Sequence, residues 1–240
     1  MNNHEVVIRL NKYIAHCGIC NRKQAVELVK KGEILVNDKV ETNPFLDLKE
    51  NDQVVYKGKL LVIEEKKVYI LLNKPKDTPY VDIEGLKKPS VSTLIQKTTE
   101  VKVFPANPLE ESTSGLLVLT NDKEVISKLS ETDRKMKSVY ELQMNQVIKE
   151  EELLSLKSEY YDKIPMITGI NVINDREFPT VGIEILKGTD SSIKAVFKDK
   201  GYEVTRADRT FFMGLTKKDL KRGWSRHLTE KEVIFLKYFN

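Results

Sequence analysis

The sequence predicts an α+β protein built as two unequal domains. Three observations lead there. Residues 8–40 carry apolar residues at helical spacing and then a short alternating run. Residues 68–214 are rich in strand patterning and hold few long helices. Between the two, Glu64-Glu65-Lys66-Lys67 has no apolar periodicity and reads as a linker. The expected bounds are 1–64 for the first domain and 68–240 for the second.

Length and composition narrow the class. The chain has 240 residues, 40% of them hydrophobic, enough for an ordinary core. Charged residues make up 32%, yet 40 basic residues face 36 acidic ones and the net charge is only +4. With so small an excess, the placement of the charge matters more than its total. Two cysteines make no disulfide framework, so a reducing cytoplasm is expected. No apolar segment reaches membrane-spanning length, and MNNHEVVIRL lacks the apolar core of a signal peptide.

In the first domain, Leu10, Tyr13 and Ile14 lie at helical spacing, with Gly18 as the stop. Asn21 is a suitable N-cap for a second helix and Gln24 its capping-box partner. Ala25, Leu28 and Val29 supply that helix's apolar face, and Gly32 ends it. Ile34, Val36 and Val40 then alternate around the turn residues Asn37 and Asp38, and two short strands flank Lys57-Gly58-Lys59. Arg9, Lys12, Arg22, Lys23, Lys30 and Lys31 cluster on the helices. The segment resembles the small RNA-binding domain named after protein four of the small ribosomal subunit. Arg9, Leu10, Lys12, Ala15, Gly18, Arg22 and Ala25 match the pattern R-L-x-K-x-L-A-x-x-G-x-x-S-R-x-x-A, with Asn21 where serine is usual. The resemblance implies that Arg9, Lys12, Arg22, Lys23 and Lys30 contact RNA phosphates, which sets register without reading bases. Cys17 and Cys20 form a C-x-x-C, but His4 and His16 do not complete a zinc ligand set, so half-buried thiols and no metal are expected.

The second domain opens with the apolar strand Val68 to Leu72, followed by Asn73-Lys74-Pro75. Val91 to Ile95 reads as a short helix. The stretch that organises this domain is VFPANPLEESTSGLLVLTND, from Val103 to Asp122. It holds a turn with two carboxylates, Glu110 and Glu111, delivered by the buried run Leu116, Leu117, Val118, Leu119. A carboxylate so placed is held better than one on a free loop tip, as catalysis requires. Residues 122–133 read as a helix, Lys137 to Leu142 as a strand, 149–157 as an acidic helix start, and Asn171 to Ile185 as strand around Pro179 and Gly182.

The Val103–Asp122 run resembles the signature of the RsuA-type pseudouridine synthases, V-x-P-V-G-R-L-D-x-x-T-x-G-L-L-x-L-T-N-D. Val103, Pro105, Leu109, Thr113, Gly115, Leu116, Leu117, Leu119, Thr120, Asn121 and Asp122 match. Glu110 stands at the catalytic aspartate and Pro108 at the arginine. The resemblance continues through LNKP, where Lys74 is a candidate contact for RNA backbone, and through Tyr140, at the tyrosine that stacks on the target base. A tyrosine at this spacing also serves as core. In LKGTDSSIKAVFKDKGYEV, Gly188, Ile193, Gly201, Tyr202 and Val204 fit the family frame. Lys194 stands at the basic partner of the catalytic carboxylate, and Ser191, Ser192 and Ala195 replace polar or basic residues. Gly223, Trp224, Leu228, Thr229 and Glu232 match the family's ending.

The resemblance implies the fold in finer detail: a small RNA-binding domain, then a synthase-like domain with a mixed, largely antiparallel sheet. It implies isomerisation of a uridine in ribosomal RNA by a carboxylate, with no cofactor or metal, on a base flipped from its stack. In this chain the acid is one methylene longer, a displacement of about 1.5 Å, and misplacement of about 1 Å costs roughly a hundredfold in rate. Proline has neither charge nor donor to replace the arginine. The expectation is a monomeric cytoplasmic protein that binds ribosomal RNA or a ribosomal subunit and is catalytically degenerate. The alternatives are an active synthase using Glu110, Tyr140 and Lys194, and a protein-interaction module that has left RNA behind. An ion pair between Glu110 and Lys194 would also be kept for stability alone, since removing one buried partner strands the other.

Overall fold

A computed structural model describes residues 8–63, 66–131 and 134–238. His4, Glu64, Glu65 and Asp133, which the sequence reading invokes, lie outside them. The chain divides into two compact units, 1–66 and 67–240.

The first unit runs β1 (Ile8–Arg9), α1 (Leu10–His16), α2 (Arg22–Lys30), β2 (Ile34–Val36), β3 (Lys39–Val40), β4 (Asp47–Leu48), β5 (Val54–Tyr56) and β6 (Lys59–Leu60). Asn21 and Gln24 form the capping box reciprocally, at 2.9 and 3.1 Å. Gly18 ends the preceding helical segment at φ +74°. Asn37-Asp38 and Lys57-Gly58 both take positive φ, which matches the twist of the hairpins they close. Leu10, Ile14, Ala25, Val29, Ile34 and Val54 are fully buried and make this unit's own core.

The second unit runs β7 (Tyr69–Lys74), α3 (Val91–Ile95), β8 (Phe104–Pro105), β9 (Thr113–Thr120), α4 (Lys123–Ser130), β10 (Ser138–Met144), α5 (Glu150–Glu159), β11 (Met166–Ile173), β12 (Thr180–Lys187), α6 (Asp190–Asp199), β13 (Val204–Phe212), β14 (Leu215–Thr216), β15 (Ser225–His227) and α7 (Glu230–Tyr238). Among the described residues the strands form one nine-stranded sheet, ordered β11-β12-β10-β13-β9-β7-β15, with β14 on β13 and β8 on β9. Every pairing is antiparallel except β13 with β9. The sheet is therefore mixed and largely antiparallel.

All eight residues of β9 are buried, which is why its sequence runs apolar instead of alternating. Strand β10 alternates buried with half-buried residues, as a strand covered on one face does. Helix α6 departs from the sequence reading, which treated its segment only as a motif frame. Thr189 and Ser192 close a capping box there at 2.9 and 3.3 Å, and Ile193, Val196 and Phe197 turn a buried face to the core under β10, β12 and β13. Strand β11 starts at Met166, five residues before the expected Asn171.

Candidate active site and nucleic-acid interface

The loop from Asn107 to Ser112, between β8 and β9, is held from many sides. Arg209 of β13 is fully buried. Its Nε donates to Leu116 O at 2.8 Å, and its Nη groups bond the side chain and backbone carbonyl of Asn107. The Tyr80 hydroxyl donates to Leu109 O at 2.8 Å and accepts from Leu109 N at 2.9 Å. Glu110 N donates to the buried Asp190 carboxylate, the first residue of α6, at 2.9 Å. Asp77 N donates to Glu111 O at 2.8 Å.

Lys74, the last residue of β7, reaches beneath this loop. Its Nζ donates to the carbonyls of Glu111 and Thr113 at 2.8 Å and of Glu110 at 3.1 Å. The side chain is fully buried. This corrects the expectation that Lys74 contacts RNA backbone: its donors are spent on the loop, and phosphate has no access to it. Burial pushes its pKa down to about 8, against the nearby charges of Asp190, Glu111 and Asp77.

The Glu110 carboxylate faces outward and is about two-fifths exposed. Lys194 Nζ donates to its Oε2 at 2.6 Å, and Ser191 Oγ to its Oε1 at 2.7 Å. Lys194 also donates to Ser112 Oγ at 2.9 Å and Thr113 Oγ1 at 2.8 Å. The hydrogen bonds from Lys194 and then Ser191 hold the Glu110 pKa below the usual carboxylate range, so the group is anionic at neutral pH. Ser191 and Ser192 thus have local work: one binds the carboxylate, the other caps α6. Tyr140 lies in the same core cluster as Leu109 and Ile193 and keeps 1% of its surface exposed. Burial pushes its phenol pKa up, partly offset by the Arg209 charge.

The structure brings together Glu110 and Lys194, whose positions are 84 residues apart in sequence. Sequence reasoning missed Tyr80, Asn107, Asp190 and Arg209, the residues that hold the loop. Asn107 lies in the same loop as Glu110, whereas Tyr80, Asp190 and Arg209 come from separate segments and nothing local marks them as its neighbours.

In the first unit, Arg9, Lys12, Arg22, Lys23 and Lys30 are all exposed, with Arg9 3.8 Å from Asp47. The side chains of Cys17 and Cys20 are free, half-buried and packed against the unit's core. Among the described residues no group of three or more His, Cys, Asp or Glu is placed to hold a metal ion, and no helix is long and apolar enough to cross a membrane.

The sequence profile described as RNA pseudouridylate synthase matches residues 68–232, and that of the S4 domain matches residues 8–54. The chain belongs to the RNA pseudouridylate synthase family. It is 30% identical to the ribosomal large subunit pseudouridine synthase B of Bacillus subtilis, over 94% of this chain and 93% of that protein. It is 31% identical to an uncharacterized RNA pseudouridine synthase of Aquifex aeolicus, over 96% of each. The dual-specificity RNA pseudouridine synthase RluF of Escherichia coli is 27% identical, over 95% of this chain and 78% of that one. A crystal structure of a pseudouridylate synthase superposes with a TM-score of 0.57 at 20% identity, covering 95% of this chain and 99% of that one. At that identity the likeness concerns the fold alone. Glu110 and Pro108 lie in the turn where the resemblance places the family's aspartate and arginine.

Proposed function

We propose that this family member binds large-subunit ribosomal RNA in the cytoplasm and has lost, or nearly lost, the isomerase step. The first unit grips phosphates through Arg9, Lys12, Arg22, Lys23 and Lys30, and the second unit receives RNA at the Glu110 cleft. The observation that carries the reading is the closure around Tyr140. A ring that stacks on a flipped base needs one free face, and this ring has 1% of its surface exposed. Leu109, in the same cluster, is pinned by two hydrogen bonds from and to Tyr80. The longer acid at 110 and the missing cation at 108 act in the same direction. The large subunit is suggested by the name of the Bacillus subtilis relative.

A second reading, an active synthase, is favoured by one observation: Glu110 and Lys194 pair at 2.6 Å with the carboxylate ionised and outward. Mapping pseudouridine in ribosomal RNA from cells with and without the gene decides between them. The first reading expects identical maps; one site lost on deletion overturns it. The companion measurement is Glu110→Asp combined with Pro108→Arg. On ribosomal RNA fragments the double variant is expected to gain at least about a hundredfold in rate, the scale of a misplacement of about 1 Å.

A further inference from the structure

The run Leu215 to Trp224 reads LTKKDLKRGW: four cations and the chain's one tryptophan within ten residues. Folding usually covers so large an aromatic surface. Trp224 is 63% exposed. Its backbone is anchored. Gly223 N donates to Asn73 O at 2.8 Å, Asn73 N to Trp224 O at 3.0 Å, and Trp224 N to Lys221 O at 3.0 Å. Asn73 Nδ2 donates to Leu220 O at 2.8 Å, with the Leu220 side chain buried. Arg222 donates to both oxygens of Asp208 at 2.9 Å, to Asn73 Oδ1 at 2.7 Å and to Lys74 O at 3.1 Å. Arg222 and Lys217 are thereby committed to Asp208, which leaves Lys218 and Lys221, both exposed, as the cations of the turn outside that network. Lys221 Nζ lies 5.7 Å from the centroid of the Trp224 ring, and most of the ring surface stays open.

The turn is also close to the site. It bonds to Asn73 and Lys74 from one side, while the Glu110 loop bonds to Lys74 Nζ from the other. An open indole on an anchored backbone, with exposed lysines beside it, is an arrangement suited to single-stranded RNA: the ring stacks on any base, and the cations hold the adjoining phosphates. A purely structural tryptophan would be buried, and a purely electrostatic patch would have no use for an exposed ring.

We propose that Trp224 is a stacking platform for an unpaired nucleotide of the bound RNA, with Lys218 and Lys221 holding its flanking phosphates, apart from the Glu110 loop. The inference rests on the RNA-binding reading above. It names a contact that reading does not need.

The test uses the full chain, a single-stranded oligouridylate and an RNA duplex of equal length. Because there is one tryptophan, its emission reports this site alone. The single strand is expected to quench it strongly and the duplex weakly. Filter retention should show Trp224→Ala weakening single-strand binding by about 5- to 150-fold, the range of one stacked base, and Trp224→Phe recovering most of it. Lys218→Glu with Lys221→Glu should lower the salt slope by about 1.4, at about 0.7 per phosphate contact on single strands. Retention of the single strand with unchanged emission and undiminished affinity in Trp224→Ala overturns the platform and leaves the RNA-binding reading standing. Equal quenching by the duplex overturns stacking on an unpaired base. Failure to retain any oligomer or ribosomal RNA fragment overturns both.

Discussion

Lys74 shows how one side chain can organise a loop from below. Its ammonium donates to the carbonyls of Glu110, Glu111 and Thr113, adding a second donor to the first two, which also accept from Thr113 N and Asp77 N. That position carries a pH signature. Its folded pKa, about 8, lies below the ordinary 10.5. Between those values the unfolded chain holds a proton that the folded chain has released, so stability rises with pH across the window. The rise contributed by this residue approaches about 1.4 kcal/mol per pH unit at most. Urea unfolding of the native chain and of Lys74→Met, followed from pH 7.5 to 10.5 (a window set by about 1 unit of margin on the shift), should show the rise in the native chain and lose it in the variant. Parallel curves would refute the assignment. The residue type and its place after a strand were legible in sequence; its burial was not, because burial depends on Glu110, Glu111 and Thr113 arriving overhead.

At the scale of elements, the decisive contact is the parallel pairing of β9 with β13, where Gly115 opposes Arg209. Gly115 sits at φ +111°, and a Cβ there would lie 2.3 Å from Arg209 O and 2.5 Å from Arg209 N. Both obstacles are backbone, so no rotamer relieves them. Gly115→Ala is expected to destabilise the second unit by about 3 kcal/mol or more, through strain at positive φ and loss of the strand's close approach. Calorimetry is the direct check, and an unchanged melting transition would contradict the account. The same pairing sets the Arg209 guanidinium against Asn107 and so fixes the start of the Glu110 turn. Elements with local signals were readable in advance: α2 from Asn21 and Gln24, α3 over Val91–Ile95, β9 from its unbroken apolar run. Helix α6 was not read, although Thr189, Ser192, Ile193, Val196 and Phe197 carried a cap and an apolar stripe at helical spacing. Ser191 and Ser192, which the sequence marks only as replacements for polar or basic residues, bind Glu110 and cap the helix.

At the scale of the whole molecule, each unit has its own apolar core. The first is closed around Leu10, Ile14, Val29 and Ile34 without help from the second. A fragment of residues 1–66 is therefore expected to fold alone, with a modest stability of about 3–5 kcal/mol typical of cores this small. Circular dichroism should show helical signal and one cooperative transition in urea, and a featureless melt would count against an autonomous unit.

What the sequence by itself determined was what short-range patterns encode: two differently patterned regions, the caps and turns of the first, the buried strand behind the Glu110 turn, and membership of a family through residues that lie in one run. What only the tertiary structure decided was company. Glu110 with Lys194 and Ser191, Lys74 under three carbonyls, Tyr140 without a free face and Trp224 exposed on a backbone tied to Asn73 all join segments tens of residues apart. Propensity and spacing act over a few residues, whereas burial, charge pairing and exposure are set by which distant segments the sheet order makes neighbours.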